Sequence, residues 1–488
     1  MDFNTFKKLS YKYKTIPVYK RILADLLTPI STYMRIAKDS NYSFVLESAE
    51  QGKGNGRYSF IGTDPELIIK SENNKTHIYQ NASWNIDSNQ FLSVLRSIQK
   101  KYHAPKLPDL PHFTGGLVGF LGYESIIWTE DIPIHNENEL SYPDAMFMLF
   151  HEIIAFDHLK NQIILFSNVQ VEEGVDIKKC YESANDKIDK MGIDLHTDID
   201  YQTPVQLKQS KFMSNFSNKE FNNVVGKAKK YIDSGDIFQI VISQQFKRHT
   251  LADSLTIYRA LRSINPSPYM FHLKLNDFNI IGASPELLVK VEDKEIEIRP
   301  IAGTSLKTGN PDSDLIIEKK LLNDEKEKAE HLMLVDLGRN DVGRSAKYDS
   351  VYLKEFMVVE HYSHVMHIVS DIRGVLLEDK DVFDALYSGF PAGTLTGAPK
   401  IRAMEIINRL EPQRRGIYSG AIGYFDFTGD MNTCIAIRTM LIKDDIVYFQ
   451  SGAGVVYDSD PQKEYDETLN KAMAINAAID LAEKGLIE

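Results

Sequence analysis

The chain has 488 residues, of which 43% are hydrophobic, and a formal net charge of −12 at pH 7. This length allows one to three domains with a large core. The acidic balance argues against a nucleic-acid-binding face, and no apolar run is long enough to span a bilayer. The start of the chain lacks the apolar segment of a secretory signal, and 2 cysteines argue against a disulfide framework. We therefore expect a cytoplasmic protein that binds neither nucleic acid nor membrane.

Several segments in the first part of the chain predict strands. Residues 43–62 predict two strands joined by a glycine-rich turn. Phe147–Phe156 and Gln162–Gln170 predict two more strands, and Val175–Met191 predicts an amphipathic helix that contains Cys180. The N-terminal segment is therefore expected to be rich in β-structure.

The polar stretch from residue 194 to residue 218 shows little periodicity and predicts a connector, with a packed loop as the alternative. Predicted helices and strands alternate after this stretch. We therefore predict an N-terminal β-rich part, residues 1–205, and a C-terminal α+β part, residues 206–488, which pack closely against each other.

The predicted strand Asp236–Phe246 carries a polar side chain on an apolar face. Gln239 shares that face with Ile237 and Val241, because side chains alternate along a strand. A buried amide needs hydrogen-bond partners. Gln239 is therefore either a hydrogen-bonded amide of the core or a residue of a binding site, and the pattern leaves both interpretations open.

Glu330 lies on the apolar face of a long predicted helix that ends near Leu337. It precedes Met333 by three residues and Leu334 by four, so the three side chains share one helix face. A carboxylate among apolar side chains is costly unless it is paired or binds a metal. A half-exposed glutamate at the edge of the apolar stripe is the alternative.

Two later predicted strands carry basic or titratable side chains. In Ser363–Gly374, His364 and His367 point to opposite faces, so they make a poor metal pair, although either can act as an acid or base. In Thr433–Ile442, Arg438 shares a face with apolar side chains of the same strand. Arg438 is therefore either a snorkelling arginine or a fork for a carboxylate.

The last predicted helix places two acids and a lysine on one face. Asp460 predicts its N-cap, and Glu464, Glu467 and Lys471 follow at spacings of three and four residues. Before the helix, the segment Ser451–Tyr457, which contains Gly452–Gly454, predicts a strand end that runs into a loop of small residues with exposed backbone N–H groups. This arrangement suits a divalent cation that holds a carboxylate ligand, and a solvated first helical turn is the alternative.

Four stretches, in order and spread over roughly half of the chain, resemble the motifs of the chorismate-utilising enzymes, most closely those of the anthranilate synthase component I group. They are Pro300–Thr304, Glu330–Asp341, Pro391–Thr394 with Gly397–Lys400, and Gly452–Gly454 with Glu464–Lys471. Several motifs in order are far more specific than any single glycine-rich pattern.

This resemblance implies an α+β fold with a large β-sandwich-like core and helices packed outside. It implies a lyase that converts chorismate and ammonia to anthranilate and pyruvate with Mg2+ as cofactor, in the first step of tryptophan biosynthesis. An aminodeoxychorismate synthase component is the second interpretation. A binding regulator without turnover is the third, and the acids matched below argue against it.

The resemblance also assigns roles to individual residues. Glu330 and Glu467 match the metal ligands, with Glu464 nearby. Glu286 matches the acid that protonates the leaving hydroxyl, and His367 matches a histidine that manages protons when pyruvate leaves. The groups that hold the substrate are matched by Gly303, Thr304, Tyr418, Arg438, Gly452, Ala453, Gly454 and Lys471.

Two positions discriminate among the relatives. The relatives that form isochorismate or salicylate carry a lysine at the position of Gln239, and this lysine acts as the base that activates water. The neutral amide of Gln239 cannot act as such a base. Gln239 therefore favours ammonia as the nucleophile. Aminodeoxychorismate synthases often carry lysine at the position of Ala302, so alanine favours anthranilate synthase.

The resemblance further implies a feedback pocket for tryptophan with two walls, Leu46–Ser48 and Asn265–Phe271. The packing of two subdomains is the alternative role of these segments. The residues expected to line the pocket are Ser48, Pro268, Tyr269 and Met270.

Neither cysteine has the context of a glutaminase nucleophile, which needs an exposed turn and a histidine partner. Cys180 falls in a predicted helix and Cys434 in a predicted strand. The chain is therefore expected to use free ammonia alone, and to use glutamine only with a separate amidotransferase subunit, in a heterotetramer.

Overall fold

The computed structural model describes residues 1–48, 56–135, 140–199, 206–361 and 365–487, with only the backbone described at Thr304. The α-helices are α1 (Phe3–Ser10), α2 (Pro29–Ile36), α3 (Phe91–Lys101), α4 (Ile177–Asp194), α5 (Asn218–Asp233), α6 (Ser254–Ile264), α7 (Pro311–Asn323), α8 (Glu325–Gly343), α9 (Val382–Gly389), α10 (Lys400–Leu410) and α11 (Pro461–Glu483). Two short 3-10 helices lie at Tyr123–Trp128 and Gly393–Leu395.

The strands, also numbered in chain order, are β1 (Thr15–Leu23), β2 (Tyr42–Glu47), β3 (Tyr58–Thr63), β4 (Leu67–Glu72), β5 (Lys75–Gln80), β6 (Ser83–Asp87), β7 (Gly116–Leu121), β8 (Ala145–Phe150), β9 (Glu152–Asp157), β10 (Gln162–Gln170), β11 (Met213–Ser214), β12 (Gln239–His249), β13 (Tyr269–Leu275), β14 (Phe278–Ser284), β15 (Leu287–Glu292), β16 (Glu295–Ile298), β17 (Ile301–Leu306), β18 (Tyr352–His361), β19 (Val365–Val375), β20 (Gly397–Ala398), β21 (Ala421–Asp426), β22 (Met431–Ile435), β23 (Thr439–Lys443) and β24 (Ile446–Val455).

The described strands form two sheets of 12 strands each. The order in the first sheet is β1-β10-β9-β3-β2-β13-β14-β23-β24-β12-β11, with β20 also paired to β12. The order in the second sheet is β17-β19-β16-β15-β22-β21-β7-β8-β4-β5-β6, with β18 also paired to β19. Neighbouring strands run antiparallel, for example β2 beside β13 and β7 beside β21.

Each sheet takes strands from both of the predicted parts of the chain. In the first sheet, Glu47 of β2 lies opposite Met270 of β13. In the second sheet, Gly119 of β7 lies opposite Gly423 of β21. The two parts therefore share both sheets. The position of their boundary stays a prediction, because residues 200–205 lie outside the described ranges.

Aromatic side chains from the facing sides of the two sheets pack together in the centre of the molecule. Phe44 of β2 meets Phe150 of β8 edge-on at 4.8 Å between ring centroids, and Phe278 of β14 meets Phe120 of β7 at 6.2 Å. Helices α6 and α11 cover the outer face of the first sheet, and α8 and α9 pack on the second. This arrangement confirms the predicted α+β class with a β-sandwich-like core.

Two segments that the sequence predicts as single strands are each divided between the sheets. The segment Phe147–Phe156 leaves the second sheet at the end of β8 and enters the first at β9, with His151 between them. The segment Thr433–Ile442 passes in the same direction from β22 to β23, and Arg438 between them has a φ of +49°. Each prediction of one strand is therefore wrong. The two strands of each segment are buried on both faces, so no change of periodicity in the sequence marks the point where the chain changes sheet.

The helix predicted to end near Leu337 is two helices, and the second is longer than predicted. Asp324 ends α7 and caps α8, where its side chain accepts from the N–H groups of Lys326 and Glu327. Helix α8 then continues to Gly343. Within the described ranges, no helix has the length and apolar character that crossing a bilayer requires.

We predict that Phe120→Ala destabilises the fold by about 3–5 kcal/mol, because it empties a fully buried aromatic position between the sheets. Urea unfolding followed by circular dichroism measures this loss. The matched control is Leu26→Ala at a position that is 89% exposed, and it should change stability little. Equal effects of the two substitutions would contradict a packed centre between the sheets.

Candidate active site

A cavity of about 320 Å³ lies where one end of the two sheets meets helices α8 and α11. Strands β12 and β24 of the first sheet and β17 and β19 of the second contribute to its wall. The predicted site residues that line it are Gln239, Glu286, Gly303, Glu330, His367, Tyr418, Arg438, Gly452, Gly454, Glu467 and Lys471. Residues far apart in the sequence are thus brought into one cavity by the fold.

Two predicted site residues, Ala453 and Glu464, do not line this cavity, and for a third only the backbone is described. The side chain of Thr304 lies outside the described atoms. Ala453 is buried opposite Ile242 of β12. Glu464 lies one helical turn before Glu467, and its pKa is raised, chiefly by burial and also by the Glu467 carboxylate.

The predicted strand end is present, but β24 extends to Val455, so Gly452–Gly454 belong to the strand and not to the loop. Gly452 and Gly454 lie opposite Ser243 and Val241 of β12. The N–H of Val241 donates instead to Thr396 O at 2.9 Å, and that of Ser243 donates to the Glu411 carboxylate at 2.8 Å. The backbone groups of both glycines therefore turn away from β12, because N–H and C=O of one strand residue point to the same side.

The cavity also requires glycine at these positions. A Cβ atom on Gly452 would lie 2.7 Å from the Tyr418 hydroxyl, and one on Gly454 would lie 3.0 Å from Gln239 Nε2. On the cavity side, Lys471 Nζ donates to Gly452 O at 2.9 Å. The backbone N–H groups expected to hold a substrate therefore face the cavity, although they belong to a strand.

Glu286 and Arg438 lie in two adjacent passages of the chain between the sheets. Glu286 lies between β14 of the first sheet and β15 of the second, and Arg438 lies between β22 and β23. The Ile435 N–H donates to Glu286 O at 3.1 Å, and the Ala283 N–H donates to Arg438 O at 3.2 Å. These backbone hydrogen bonds hold Glu286 and the guanidinium-bearing residue Arg438 beside each other.

Glu286 is a buried carboxyl, 8% exposed. Burial raises its pKa to about 7, against the opposing effects of a hydrogen bond from Thr394 and of the nearby Arg438 and Lys471 charges. Thr394 Oγ donates to Glu286 Oε1 at 3.0 Å. Near neutral pH this side chain is therefore present in both its protonated and its ionised form, as a general acid requires.

Arg438 supplies the cavity with a cation that makes no ion pair within the described ranges. Burial lowers its pKa, and the Glu286 carboxylate acts in the opposite direction. The guanidinium remains charged, because arginine keeps its proton in proteins. With the Tyr418 hydroxyl and the glycine N–H groups, it makes one side of the cavity suited to a carboxylate.

His367 extends from β19 into the cavity, and its two ring nitrogens have different hydrogen-bonding roles. Its Nδ1 lies 3.3 Å from Gly303 O, and burial lowers its pKa. A carbonyl oxygen only accepts, so Nδ1 carries the proton of the neutral ring and Nε2 is the acceptor. This tautomer suits a base at Nε2.

The cavity also carries the acids predicted to bind a metal. The pKa of Glu330 is raised by burial first, and also by the like charges of Glu327 and Glu467. Glu330 makes no ion pair within the described ranges, whereas Glu467 Oε1 lies 2.7 Å from Lys471 Nζ. Crowded carboxylates of this kind fit a hard divalent cation. Among the described residues no three acidic, histidine or cysteine side chains form a ready metal cluster, so this donor set is incomplete without ligand or water oxygens.

A second cavity of about 170 Å³ lies between the two sheets. Ser48, Pro268, Tyr269 and Met270 all line it, as the sequence predicts for the regulatory pocket. The lining residues that the sequence analysis did not assign to the pocket include Tyr58, His112, Lys290, Tyr424, Asn432 and Cys434. His112 comes from the segment before β7 and the others come from other strands, so their sequence neighbours give no signal of a shared pocket.

Two side chains of the first cavity, those of Thr394 and Gln450, were not predicted from the sequence. Thr394 was within a matched motif, but its contact with Glu286 crosses more than 100 residues. Gln450 lines the cavity as well, and its Nε2 donates to Ser243 Oγ at 2.7 Å. For Thr394 the matched motif was an available signal in the sequence. For Gln450 the sequence contained no such signal.

Residues 41–477 match the family described as chorismate binding enzyme. The match spans both sheets and contains every residue that lines the first cavity. The chain therefore belongs to the chorismate binding enzyme family and is an enzyme of that class.

Its similar proteins include several called anthranilate synthase component 1. The chain is 45% identical to that of Acetivibrio thermocellus over 485 residues, which cover 98% of this chain and 97% of the relative. It is 41% identical to that of Aquifex aeolicus over 492 residues, with 99% and 98% covered. The crystal structure of anthranilate synthase component I from Streptococcus pneumoniae TIGR4 matches with a TM-score of 0.77 at 36% identity, over 93% of this chain and 99% of that chain.

A more distant structure shares the fold. The menaquinone-specific isochorismate synthase from Escherichia coli matches with a TM-score of 0.70 at 18% identity, over 98% of each chain. At this identity the likeness concerns the arrangement of sheets and helices. The sandwich and its helices thus occur in proteins that are named for different activities.

We predict that Glu286 titrates near pH 7 and that Arg438→Gln moves its midpoint to higher pH, because the substitution removes a charge that favours the carboxylate. Infrared absorption of the protonated carboxyl, followed across pH, measures the midpoint. The Glu286→Gln variant is the control that removes the signal. A midpoint near the ordinary glutamate value would contradict the burial of this side chain.

Proposed function

We propose that this chain is the large component of an anthranilate synthase, a cytoplasmic enzyme that converts chorismate and ammonia to anthranilate and pyruvate. The observation that carries the proposal is the placement of a buried acid with a pKa of about 7 beside an arginine that forms no ion pair with any described residue, in one cavity of a chorismate binding enzyme. The similarity to several proteins called anthranilate synthase component 1 supports it.

Chorismate would lie with its carboxylates at the two ends of the cavity. Arg438, the Tyr418 hydroxyl and the backbone N–H groups of Gly452 and Gly454 would hold one of them through charge-assisted hydrogen bonds. Glu330 and Glu467 would hold magnesium, with Glu464 nearby. The bound ion would neutralise and orient the ring carboxylate, as a hard cation with oxygen ligands does.

The chain's own acid would then assist the first step. Ammonia attacks ring C2, the ring double bonds shift, and the C4 hydroxyl leaves. Hydroxide is a poor leaving group, so Glu286 gives it a proton and water departs. The Thr394 hydroxyl fixes the carboxyl that donates this proton.

The second step makes the ring aromatic. The proton on C2 is removed while the bond from C3 to the enolpyruvyl oxygen breaks, and the departing group takes up a proton to become pyruvate. His367 Nε2 is the acceptor nitrogen of the neutral ring and suits the removal of this proton.

Gln239 and Ala302 support ammonia as the nucleophile and anthranilate as the product. Both residues line the cavity, and neither an amide nor a methyl side chain is an amine that could activate water or attack the ring. An aminodeoxychorismate synthase component is the alternative function. It predicts an amino product that keeps the enolpyruvyl group and is not aromatic.

Glutamine would serve as the nitrogen source only through a partner amidotransferase subunit, in a heterotetramer. Cys180 lies on helix α4, and Cys434 lies in a strand at 2% exposure. Burial raises the pKa of the Cys434 thiol to about 12. A buried thiol of this kind is a poor nucleophile, which supports a separate subunit for the release of ammonia.

Tryptophan would occupy the second cavity as a feedback inhibitor. Its volume and its mixed aromatic and polar lining suit an amino acid with a large ring. Ser48 Oγ and Asn432 Oδ1 are buried without a hydrogen-bond partner within the described ranges. Such groups gain from a ligand that satisfies them.

The proposal is tested by incubating the purified chain with chorismate, an ammonium salt and magnesium. We expect anthranilate, detected by its fluorescence, and pyruvate in equal amounts. An amino product that is not aromatised would favour the alternative function. No turnover of chorismate would overturn the proposal.

We predict that Glu467→Gln abolishes magnesium-dependent turnover, because it removes a charged metal ligand. Anthranilate fluorescence measures activity, and calorimetry measures magnesium binding. Asp466→Asn makes the same change of charge one residue earlier on helix α11, at an exposed position that does not line the cavity, and should stay active. Normal activity of Glu467→Gln with magnesium would exclude Glu467 as a ligand.

We predict that Ser48→Ala weakens inhibition by tryptophan about threefold to tenfold, because one hydrogen bond to the ligand is lost. Ammonia-dependent activity without tryptophan should stay close to normal. Ser59→Ala is the matched control, since Ser59 lies on β3 between two lining residues but does not line the cavity. An unchanged inhibition curve for Ser48→Ala would remove Ser48 from the pocket.

A further inference from the structure

One buried cation holds several pieces of the cavity wall together. Arg415 is 3% exposed and lies between α10 and β21. It donates from Nε to Glu411 Oε2 at 2.8 Å and from Nη2 to Glu411 Oε1 at 2.7 Å. Its other N–H groups donate to Val241 O at 2.8 Å, Leu395 O at 2.7 Å and Ser419 Oγ at 3.2 Å. All five donors of the guanidinium are therefore in use.

Two tyrosine rings contact the guanidinium of Arg415. Its Cζ lies 5.0 Å from the ring centroid of Tyr123 and 5.6 Å from that of Tyr418. Cation–π contacts of this kind are strongest where water is excluded. Tyr418, Val241 and Leu395 line the cavity, whereas Arg415 does not. Arg415 thus touches the cavity wall from behind.

Glu411, the carboxylate bound by Arg415, connects Arg415 to Ser243 and to Gln450 in the cavity wall. Glu411 Oε1 accepts from the N–H of Ser243 at 2.8 Å and from its hydroxyl at 2.7 Å. Because that hydroxyl gives its single proton to Glu411, it can only accept from Gln450 Nε2, which lies 2.7 Å away. The orientation of the Gln450 amide, which lines the cavity, is therefore set by Arg415 through Glu411.

We propose that Arg415 is a positioning residue for the reaction. It fixes Tyr418 against the substrate carboxylate, and it fixes the turn of Thr394 and Leu395 that holds Glu286. The identity of the substrate rests on the proposed function, whereas the positioning rests on the contacts of Arg415. Lysine cannot replace it, because an ammonium has three donors and no plane to stack between rings.

The test is Arg415→Lys, assayed with chorismate, ammonium and magnesium. We expect KM for chorismate to rise and kcat to fall, with kcat/KM lower by about 100-fold, the size of effect that a small misplacement of reacting groups produces. We also expect the alkaline limb of the pH profile to move to higher pH, because weakening the Thr394 hydrogen bond removes a contact that lowers the pKa of Glu286.

Arg248→Lys is the matched control. Arg248 is also buried, at 2% exposure, and its Nη1 and Nη2 each donate at 2.5 Å, to Asn476 Oδ1 and Glu483 Oε2. Neither Arg248 nor these partners line the cavity. Both variants should lose thermal stability, but only Arg415→Lys should change KM and the pH profile of the folded enzyme.

Each outcome decides the inference. Normal KM, kcat and pH profile in folded Arg415→Lys would overturn it, as would equal changes in Arg248→Lys. If Arg415→Lys does not fold, Glu411→Gln replaces it, with a smaller change in the same direction expected. Failure of both to fold would assign Arg415 to folding alone and overturn the inference. A wild-type chain that does not convert chorismate would contradict the proposed function instead.

Discussion

The passage of the chain between two antiparallel sheets is the constraint on which the active site depends. Within a sheet, each strand satisfies its backbone hydrogen bonds with its neighbours. A chain that leaves one sheet for the other gives up those partners, and it needs new ones because the passage is buried. Here two such passages lie side by side, and each accepts a backbone hydrogen bond from the strand that leads into the other. The Ile435 N–H of β22 donates to Glu286 O, and the Ala283 N–H of β14 donates to Arg438 O. Their side chains consequently reach the gap at the ends of the sheets.

Burial gives the charged groups of that gap their chemical character. Glu286 is removed from water, and this burial raises its pKa to about 7, although the hydrogen bond from Thr394 acts in the opposite direction. Arg438 stays charged in the same surroundings, and an arginine with no ion pair within the described ranges attracts an anion strongly where little water screens it. One acid that is partly protonated near neutral pH and one permanent cation therefore lie in contact with the same small volume. The protein does not need a positive net charge to bind an anion, because the local groups determine the field.

The sequence predicted what depends on local pattern and on matched motifs. Asp460 caps α11 as predicted, and Glu467 and Lys471 share a face of that helix. It did not predict the change of sheet beside Arg438, because β22 and β23 are both buried on both faces and read as one apolar run. The placement of Gly452 in a strand was missed for a related reason, since small residues predict a loop unless a neighbouring strand is known. Contacts such as that of Arg415 with Val241 span 174 residues and carry no local signal.

The second cavity is connected to the first by the same passages. Asn432 and Cys434 of β22 line the second cavity, and the next residue, Ile435, donates its N–H to Glu286 O. On the other side of that cavity, Tyr269 of β13 lies opposite Ser284, two residues before Glu286. A ligand between the sheets therefore touches β22, which leads into one passage, and β13, which pairs with β14, the strand that leads into the other. It can alter the first cavity only by binding one arrangement of these strands better than another, and coupling of this kind typically amounts to about 1–3 kcal/mol. Such a ligand would act on the geometry of Glu286 and Arg438 through the two backbone hydrogen bonds that tie their passages to β22 and β14.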